Sequence, residues 1–258
     1  MKKIKIIALA LLVLLCVALC SCERKPGVES SGLAFELNES GTAYTVIGMG
    51  KCRDKDVLIP KEYKGLPVTA IGEYAFRNES VAKITVTENI VSIAHNAFDG
   101  CVSLIYNTYE TVKYMGTEEN PYYAAIFVSE NSKESYKLHK DTKILADYAF
   151  GDCSIKSITL PEGLTHIGAN AFYSCGALTD VVLPKTLTHI GAEAFGNCGS
   201  LKEITLPKSL CFMGESVFLY CMKVEKITFG GTEAQWNAVS KDGWDFYFGA
   251  KYEFICIG

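Results

Sequence analysis

The chain has 258 residues, long enough for one or two domains with a substantial core. A hydrophobic fraction of 49% and an aromatic fraction of 11% exclude a disordered chain. The formal charge is −4 and there is no basic run, which argues against nucleic acid or anionic headgroups as partners.

The first 22 residues, MKKIKIIALALLVLLCVALCSC, read as an export signal. Lys2, Lys3 and Lys5 form a basic start. Ile6 to Leu19 is an apolar run of 14 residues, short against the ~20 needed to span a bilayer. The segment closes on Leu19-Cys20-Ser21-Cys22, which resembles a bacterial lipobox. Cys22 fits better than Cys20, because Cys20 would have Leu19 immediately before it. The resemblance implies that the Cys22 thiol takes a diacylglycerol and that Cys22 becomes the new N-terminus. Two or three acyl chains would hold the chain on a membrane, where one chain alone binds only marginally. An ordinary secretory signal or an uncleaved anchor is the other reading. Loss of residues 1–21 removes three lysines and no acid, taking the charge from −4 to −7. It leaves cysteines at 22, 52, 101, 153, 175, 198, 211, 221 and 256.

Residues 22–32 form a polar tether with Pro26, Gly27 and a Ser pair. Over 33–55, LAFEL and AYTVI flank NESG, the pattern of a β-hairpin that caps the segment beginning at residue 56.

From residue 56 to 229 the chain repeats itself. An aromatic marker, Ala-Phe or Val-Phe, ends at Phe76, Phe98, Phe150, Phe172, Phe195 and Phe218. The steps are 22, 52, 22, 23 and 23 residues. The unit is I-x-[LV]-P-x-x-[LI]-x-x-I-G-x-x-A-F-x-x-C-x-x-[LV]. Clear copies include ITLPEGLTHIGANAFYSCGAL and VVLPKTLTHIGAEAFGNCGSL; TKILADYAFGDCSI is a partial one. A unit of this size cannot bury its apolar side alone, so stacked units must share a core: a solenoid of parallel rungs. Ile204 and Leu206 alternate with Glu203 and Thr205, as a half-buried strand requires. Pro207 ends that strand. Gly168, Gly191 and Gly214 fit a tight corner before a short helical turn carrying Ala-Phe. The fold class is therefore mainly β with short helical turns.

The 52-residue step is one rung plus an insertion, 106–141, which holds Tyr106, Tyr109, Tyr114, Tyr122, Tyr123 and Tyr136. One reading lays hairpins on the solenoid with these rings as local core. The sharper reading exposes a tyrosine surface to a partner, because Tyr supplies contact area at low entropic cost. Residues 230–258 leave the period. Trp236 and the cluster Trp244, Phe246 and Phe248 would cover the open end of the stack.

The unit resembles the bacterial leucine-rich repeat of surface-antigen type, the BspA-like family. The matching stretches are LPxxLTHIGxxAFxxCxxL at 183–201, the same frame at 160–178, and LIPKEYKGLPVTAIGEYAF at 58–76. The lead-in YTVIGMGKCRDKDVLIP and the tail ITFGGTEAQW are similar too. The resemblance implies a leucine-rich-repeat solenoid displayed at a bacterial surface, with roles in adhesion or protein recognition and no catalytic residues. Ala94 in place of the corner Gly and Glu79 in place of Cys depart from the pattern.

Cys101, Cys153, Cys175, Cys198 and Cys221 each lie three residues after a Phe. Equivalent positions of a solenoid form a row, not a tetrahedral cage, so metal binding is not expected. Free Cys packs as a small apolar residue; disulfides between neighbouring rungs are the second reading, since Cα separations below ~6.8 Å permit them. His166 and His189 share a register and alternate with Ile167 and Ile190, which places them on a solvated face. A Cys–His pair on opposite sides of a rung makes no nucleophile. No zinc-peptidase, nucleophile-elbow or phosphate-loop motif occurs.

Thr85, Thr159, Val182, Thr205 and Thr228 share one outward register on the strand side, the face the resemblance marks as the contact surface. β-Propensity alone would also place Thr there. The expected function is a lipid-anchored, cell-surface recognition scaffold with no cofactor. Its protein or glycan ligand would meet Tyr106, Tyr109, Tyr114, Tyr122, Tyr123, Thr159, Val182 and Thr205. The alternative is a structural envelope protein that binds a partner or glycan of its own cell.

Overall fold

A computed structural model describes residues 29–130, 133–241, 243 and 252–258. The export signal, Cys22, most of the tether and the cluster Trp244, Phe246 and Phe248 lie outside the described residues. The chain is a β-solenoid of about nine turns spaced by about 23 residues.

Each rung has two strands rather than one. The I-x-L strand, such as Ser157–Thr159, is followed by a turn closed from Leu164 N–H to Pro161 O at 3.1 Å. A second, two-residue strand then forms from T-H-I, as at His166–Ile167. These short strands stack in parallel: Ile144–Leu145, His166–Ile167, His189–Ile190, Phe212–Met213 and Ser240–Lys241. Two residues are too few to show alternation, but Ile167 and Ile190 are buried while His166 and His189 are half-buried.

The third side is the Ala-Phe corner, a run of single turns with no continuing helix. Phe150, Phe172 and Phe195 each donate a backbone N–H to the next rung, at Ala171, Ala194 and Val217 (2.8–2.9 Å). Two residues further on, Asp152, Ser174 and Asn197 do the same. On the strand sides donation runs both ways, back along the stack from Gly191 N–H to Ile167 O at 2.8 Å and forward from Leu138 N–H to Thr159 O at 3.2 Å. Left-handed residues on either side of each Phe let the corner point its N–H groups along the stack: Asn170 (φ 55) and Ser174 (φ 58), Glu193 (φ 50) and Asn197 (φ 58). The glycines meet a different demand. A Cβ on Gly191 would lie 2.4 Å from Ala169 N, so the preceding rung passes too close for any side chain.

The hairpin Ala34–Leu37 and Tyr44–Gly48 begins the stack, since Tyr44–Gly48 pairs in parallel with Leu66–Ile71. The end of the expected tether joins it: Ser30 is buried and donates its N–H to Leu58 O at 2.9 Å. At the other end the helix Glu233–Ala238 is opened by a Thr232–Gln235 capping box. It seats Trp236 against Phe229 and Phe254, at 5.3 and 4.7 Å between ring centroids.

The insertion is not laid on the solenoid; it is interposed in it. Asn107–Tyr109, Val112–Met115 and Ala124–Val128 form an antiparallel meander whose last strand pairs in parallel with Ile144–Leu145. It divides the apolar interior into two cores. Met115, Ala124 and Ile126 face the N-terminal core, while Val112, Tyr114 and Ala125 face the C-terminal one. The partial third copy is complete: Tyr136 pairs with Ile158 in the strand register, so that rung starts at Ser135 and the insertion proper is shorter than 106–141.

Candidate recognition surface

Hydrophobic alternation fixes the outward row. In Glu203–Leu206, Ile204 and Leu206 are buried, so Glu203 and Thr205 face solvent. Thr159 and Thr205 are exposed, and Val182 is 73% exposed, an apolar side chain held out from the core. Thr228 is half-buried. Thr85 is a correction to the expected row: it is buried, because Gly116 of the insertion bridges to it and covers that end of the face.

The strand ladder breaks within this row. Ser135–Lys137, Ser157–Thr159 and Asp180–Val182 form one sheet; Glu203–Leu206, Lys226–Phe229 and Glu253–Cys256 form another. No ladder hydrogen bond joins Asp180–Val182 to Glu203–Leu206 among the described residues, although His166–Ile167, His189–Ile190 and Phe212–Met213 remain paired behind them. A depression of about 810 Å³ lies at the break, lined by Val182, Leu183, Thr205, Pro207 and Gln235. Asp180 and Glu203 stand beside Lys185 and Lys208, so its charge is mixed. Backbone donors and acceptors of two strand edges thus sit under an exposed Val and Thr. Sequence periodicity does not show this break, because the 23-residue spacing runs through it unchanged.

The tyrosines divide. Tyr114 is fully buried, and its hydroxyl accepts from His139 N–H at 3.3 Å. Tyr123 is 8% exposed, with its hydroxyl bonded to Glu88 O (2.8 Å) and Ile90 O (3.0 Å). Burial pushes both phenols up to about 12. Neither ring belongs to an exposed partner surface, which corrects the reading that included them. Tyr109 and Tyr122 are half-buried around His139, with Tyr122 stacked on it at 3.9 Å. Tyr106 is half-buried, edge-on to both Phe98 (6.4 Å) and Phe127 (5.2 Å). The structure does not bring the tyrosines to the strand row.

The repeated cysteines are bonded into the stack as thiols. Cys175 Sγ donates to Phe150 O at 3.1 Å, Cys198 Sγ to Phe172 O at 3.2 Å and Cys221 Sγ to Phe195 O at 2.9 Å. Burial pushes the Cys175 thiol up to about 12 and Cys153 to about 11. The contact with Cys221, then burial, raises Cys198 as well. His166 and His189 are not on a solvated face. Their rings stack at 4.3 Å, with Phe212 continuing the column at 5.8 Å from His189. Burial, then the neighbouring ring, lowers His166 to about 4, which keeps it neutral. Among the described residues no group of three or more His, Cys, Asp or Glu converges as a metal site, and no helix is long and apolar enough to cross a membrane.

Comparison with known proteins gives the family. Residues 56–119 and 122–238 match the BspA type leucine rich repeat region in six copies. A leucine rich cell surface protein from Faecalibacterium prausnitzii is 16% identical, over 86% of this chain and 99% of that one, with a TM-score of 0.49. The pneumococcal vaccine antigen PcpA is 26% identical over 68% of this chain and 51% of its own, with a TM-score of 0.46. A leucine-rich repeat protein of T. pallidum is 20% identical over 91% and 86%, with a TM-score of 0.36. No curated protein matches. Six repeat copies spanning most of its length, in the register the rungs themselves follow, make this chain a member of the BspA-type leucine-rich-repeat family.

Proposed function

We propose that the chain is a non-catalytic recognition scaffold of the bacterial envelope, held by lipid at Cys22 and exposed at the cell surface, where it binds a protein or glycan in an adhesin-like role. The observation that supports this reading is the interrupted ladder between Val182 and Thr205. Strand edges with unpaired backbone groups are places where an extended chain can add hydrogen bonds, and neighbouring side chains then supply specificity. The mixed charge at the rim and the hydroxyl of Thr205 suit a neutral, hydrogen-bonding ligand better than a polyanion.

The test is capture by the immobilised chain from two pools, host matrix and serum proteins and the bacterium's own envelope extract. Saturable capture of a host component, lost in Val182→Arg and Thr205→Arg with the melting temperature unchanged, supports the adhesin. Capture confined to self-derived proteins or wall glycan assigns the face to a structural envelope role. Capture unaffected by both substitutions removes the strand face from the reading. Lipid at Cys22 is checked separately by the mass of the mature N-terminal peptide.

A further inference from the structure

The corner side of the stack carries a second, independent opening. Each complete corner hands two N–H groups forward, from its Phe and from the residue two positions on, to two carbonyls of the next corner. Phe76 and Asn78 do this to Ala97 and Asp99; Phe150 and Asp152 do it to Ala171 and Tyr173. Between the corner ending at Cys101 and the corner ending at Cys153 no such turn occurs among the described residues; the insertion strand Ala124–Val128 fills the ladder there, and its register shifts between Ala125 and Phe127.

Three sets of groups lose their partners there. Among the described residues, Phe98 N–H and Gly100 N–H have no acceptor. At the equivalent positions of the following corner, the carbonyls of Ala149 and Gly151 have no donor among the described residues, although their counterparts Ala171 and Tyr173 each accept one. Cys153 is buried, yet its thiol lacks the Phe carbonyl one rung back that Cys101, Cys175, Cys198 and Cys221 all use. The two corners still touch at one end, Asp147 N–H donating to Ile93 O at 3.0 Å. Beyond that contact a notch of about 420 Å³ opens, lined by Phe98, Val102, Tyr106, Phe127 and Tyr148. Val102 is 97% exposed at its mouth. Asp99 and Asp147 line it with a single basic-capable group, His95.

We propose that this notch binds a peptide segment of a partner protein, seated as a surrogate corner. Its carbonyls accept from Phe98 and Gly100, and its N–H groups donate to Ala149 and Gly151. One aromatic side chain fills the apolar space beside Phe98 and Tyr148, and a flanking Lys or Arg meets Asp99 and Asp147. The hydrogen-bond register fixes the segment as polypeptide, the lining selects the aromatic, and the acidic pair selects the basic neighbour.

The probe is a synthetic peptide of residues 168–176, GANAFYSCG, with Cys175→Ser and one lysine added at its end. Amide hydrogen exchange on the full chain reads the site. Saturable binding that slows Phe98 and Gly100 by about tenfold or more, while Phe172 and Phe195 stay unchanged, supports the proposal. Val102→Lys, which adds a positive charge at an exposed position beside the peptide's own lysine, should weaken binding about tenfold with melting unchanged. The proposal is overturned by any of three results. One is no saturable binding at about 1 mM peptide. Another is equal binding by a Phe172→Asp peptide. The last is Phe98 and Gly100 amides that in the free chain already exchange as slowly as Phe172.

Discussion

The thiol of Cys198 donates to the carbonyl oxygen of Phe172, 3.2 Å away and one rung back. The same carbonyl accepts the N–H of Cys175 at 3.1 Å within its own rung. A position that reads as a small apolar filler is therefore also a link between rungs. Cys198→Ala removes a buried sulfur and leaves that bond unmade, so it should cost about 1 to 2 kcal/mol. Urea unfolding measures it; no change in midpoint would mean that the thiol contributes packing alone.

Phe195 sits fully buried between Phe172 and Phe218, with ring centroids at 5.2 and 5.7 Å. Its loss cannot be repaired from one side, because both neighbouring rings are themselves fixed in the column. Phe195→Ala should destabilise the chain by about 3 to 5 kcal/mol. A variant that unfolds at the parent's midpoint would remove the ring column from the account of stability.

The parts of this fold that repeat were legible, and the parts that interrupt the repeat were not. Ile204 and Leu206 announce a half-buried strand, and Phe195 announces a core row, because period and alternation recur in several copies. The T-H-I strand stayed hidden because two residues carry no alternation, and His166 took a half-buried, stacked place that a polar residue does not advertise. The third copy was only partly visible because Tyr136 stands where Ile is usual. The insertion strands divide their side chains between two cores, so of the two readings open for the insertion tyrosines the local-core one holds for Tyr114 and Tyr123, and the exposed-surface one does not. Only the 52-residue gap between Phe98 and Phe150 signalled that a corner was absent, and it did not say where the freed backbone groups would point.

Thiol reactivity should follow this division. Cys211 is exposed, whereas Cys175 is buried with its thiol pushed up to about 12. Iodoacetamide at neutral pH should label Cys211 first and leave Cys175 and Cys198 untouched until the chain unfolds. Peptide mapping by mass spectrometry checks the order; early labelling of Cys175 would show that the stack opens locally.

His166 links stability to pH. Its folded value, about 4, lies below the ordinary histidine value of 6.5, so the unfolded chain binds the extra proton first. The contribution of a neutral His166 is complete above 6.5 and is lost as pH falls toward 4. The group is partly exposed, so screening reduces the effect to about 1 to 2 kcal/mol. Asp147, raised to about 6 by burial, works in the opposite direction over the same range. The test is therefore a difference: the stability of the parent minus that of His166→Gln should fall between pH 7.5 and 4.5. A difference flat with pH would mean that the stacked ring titrates normally.

Glu193 holds a left-handed backbone (φ 50) that its sister position one rung back fills with Asn170 (φ 55). Asn tolerates that region far better than a longer side chain, because its short amide adds little steric conflict there. The N–H of Glu193 must keep this geometry to reach Glu215 O at 2.9 Å, so the strain is retained rather than relaxed. Glu193→Asn should stabilise the chain by about 0.5 to 1 kcal/mol, raising the melting temperature by about 1 to 4 °C. Asn170→Val should do the reverse, losing about 1 to 3 kcal/mol, because a β-branched side chain is the least tolerant of positive φ. Opposite signs at two equivalent positions would identify the left-handed corner as the cause. Equal signs would mean that side-chain contacts, not backbone conformation, set the preference there.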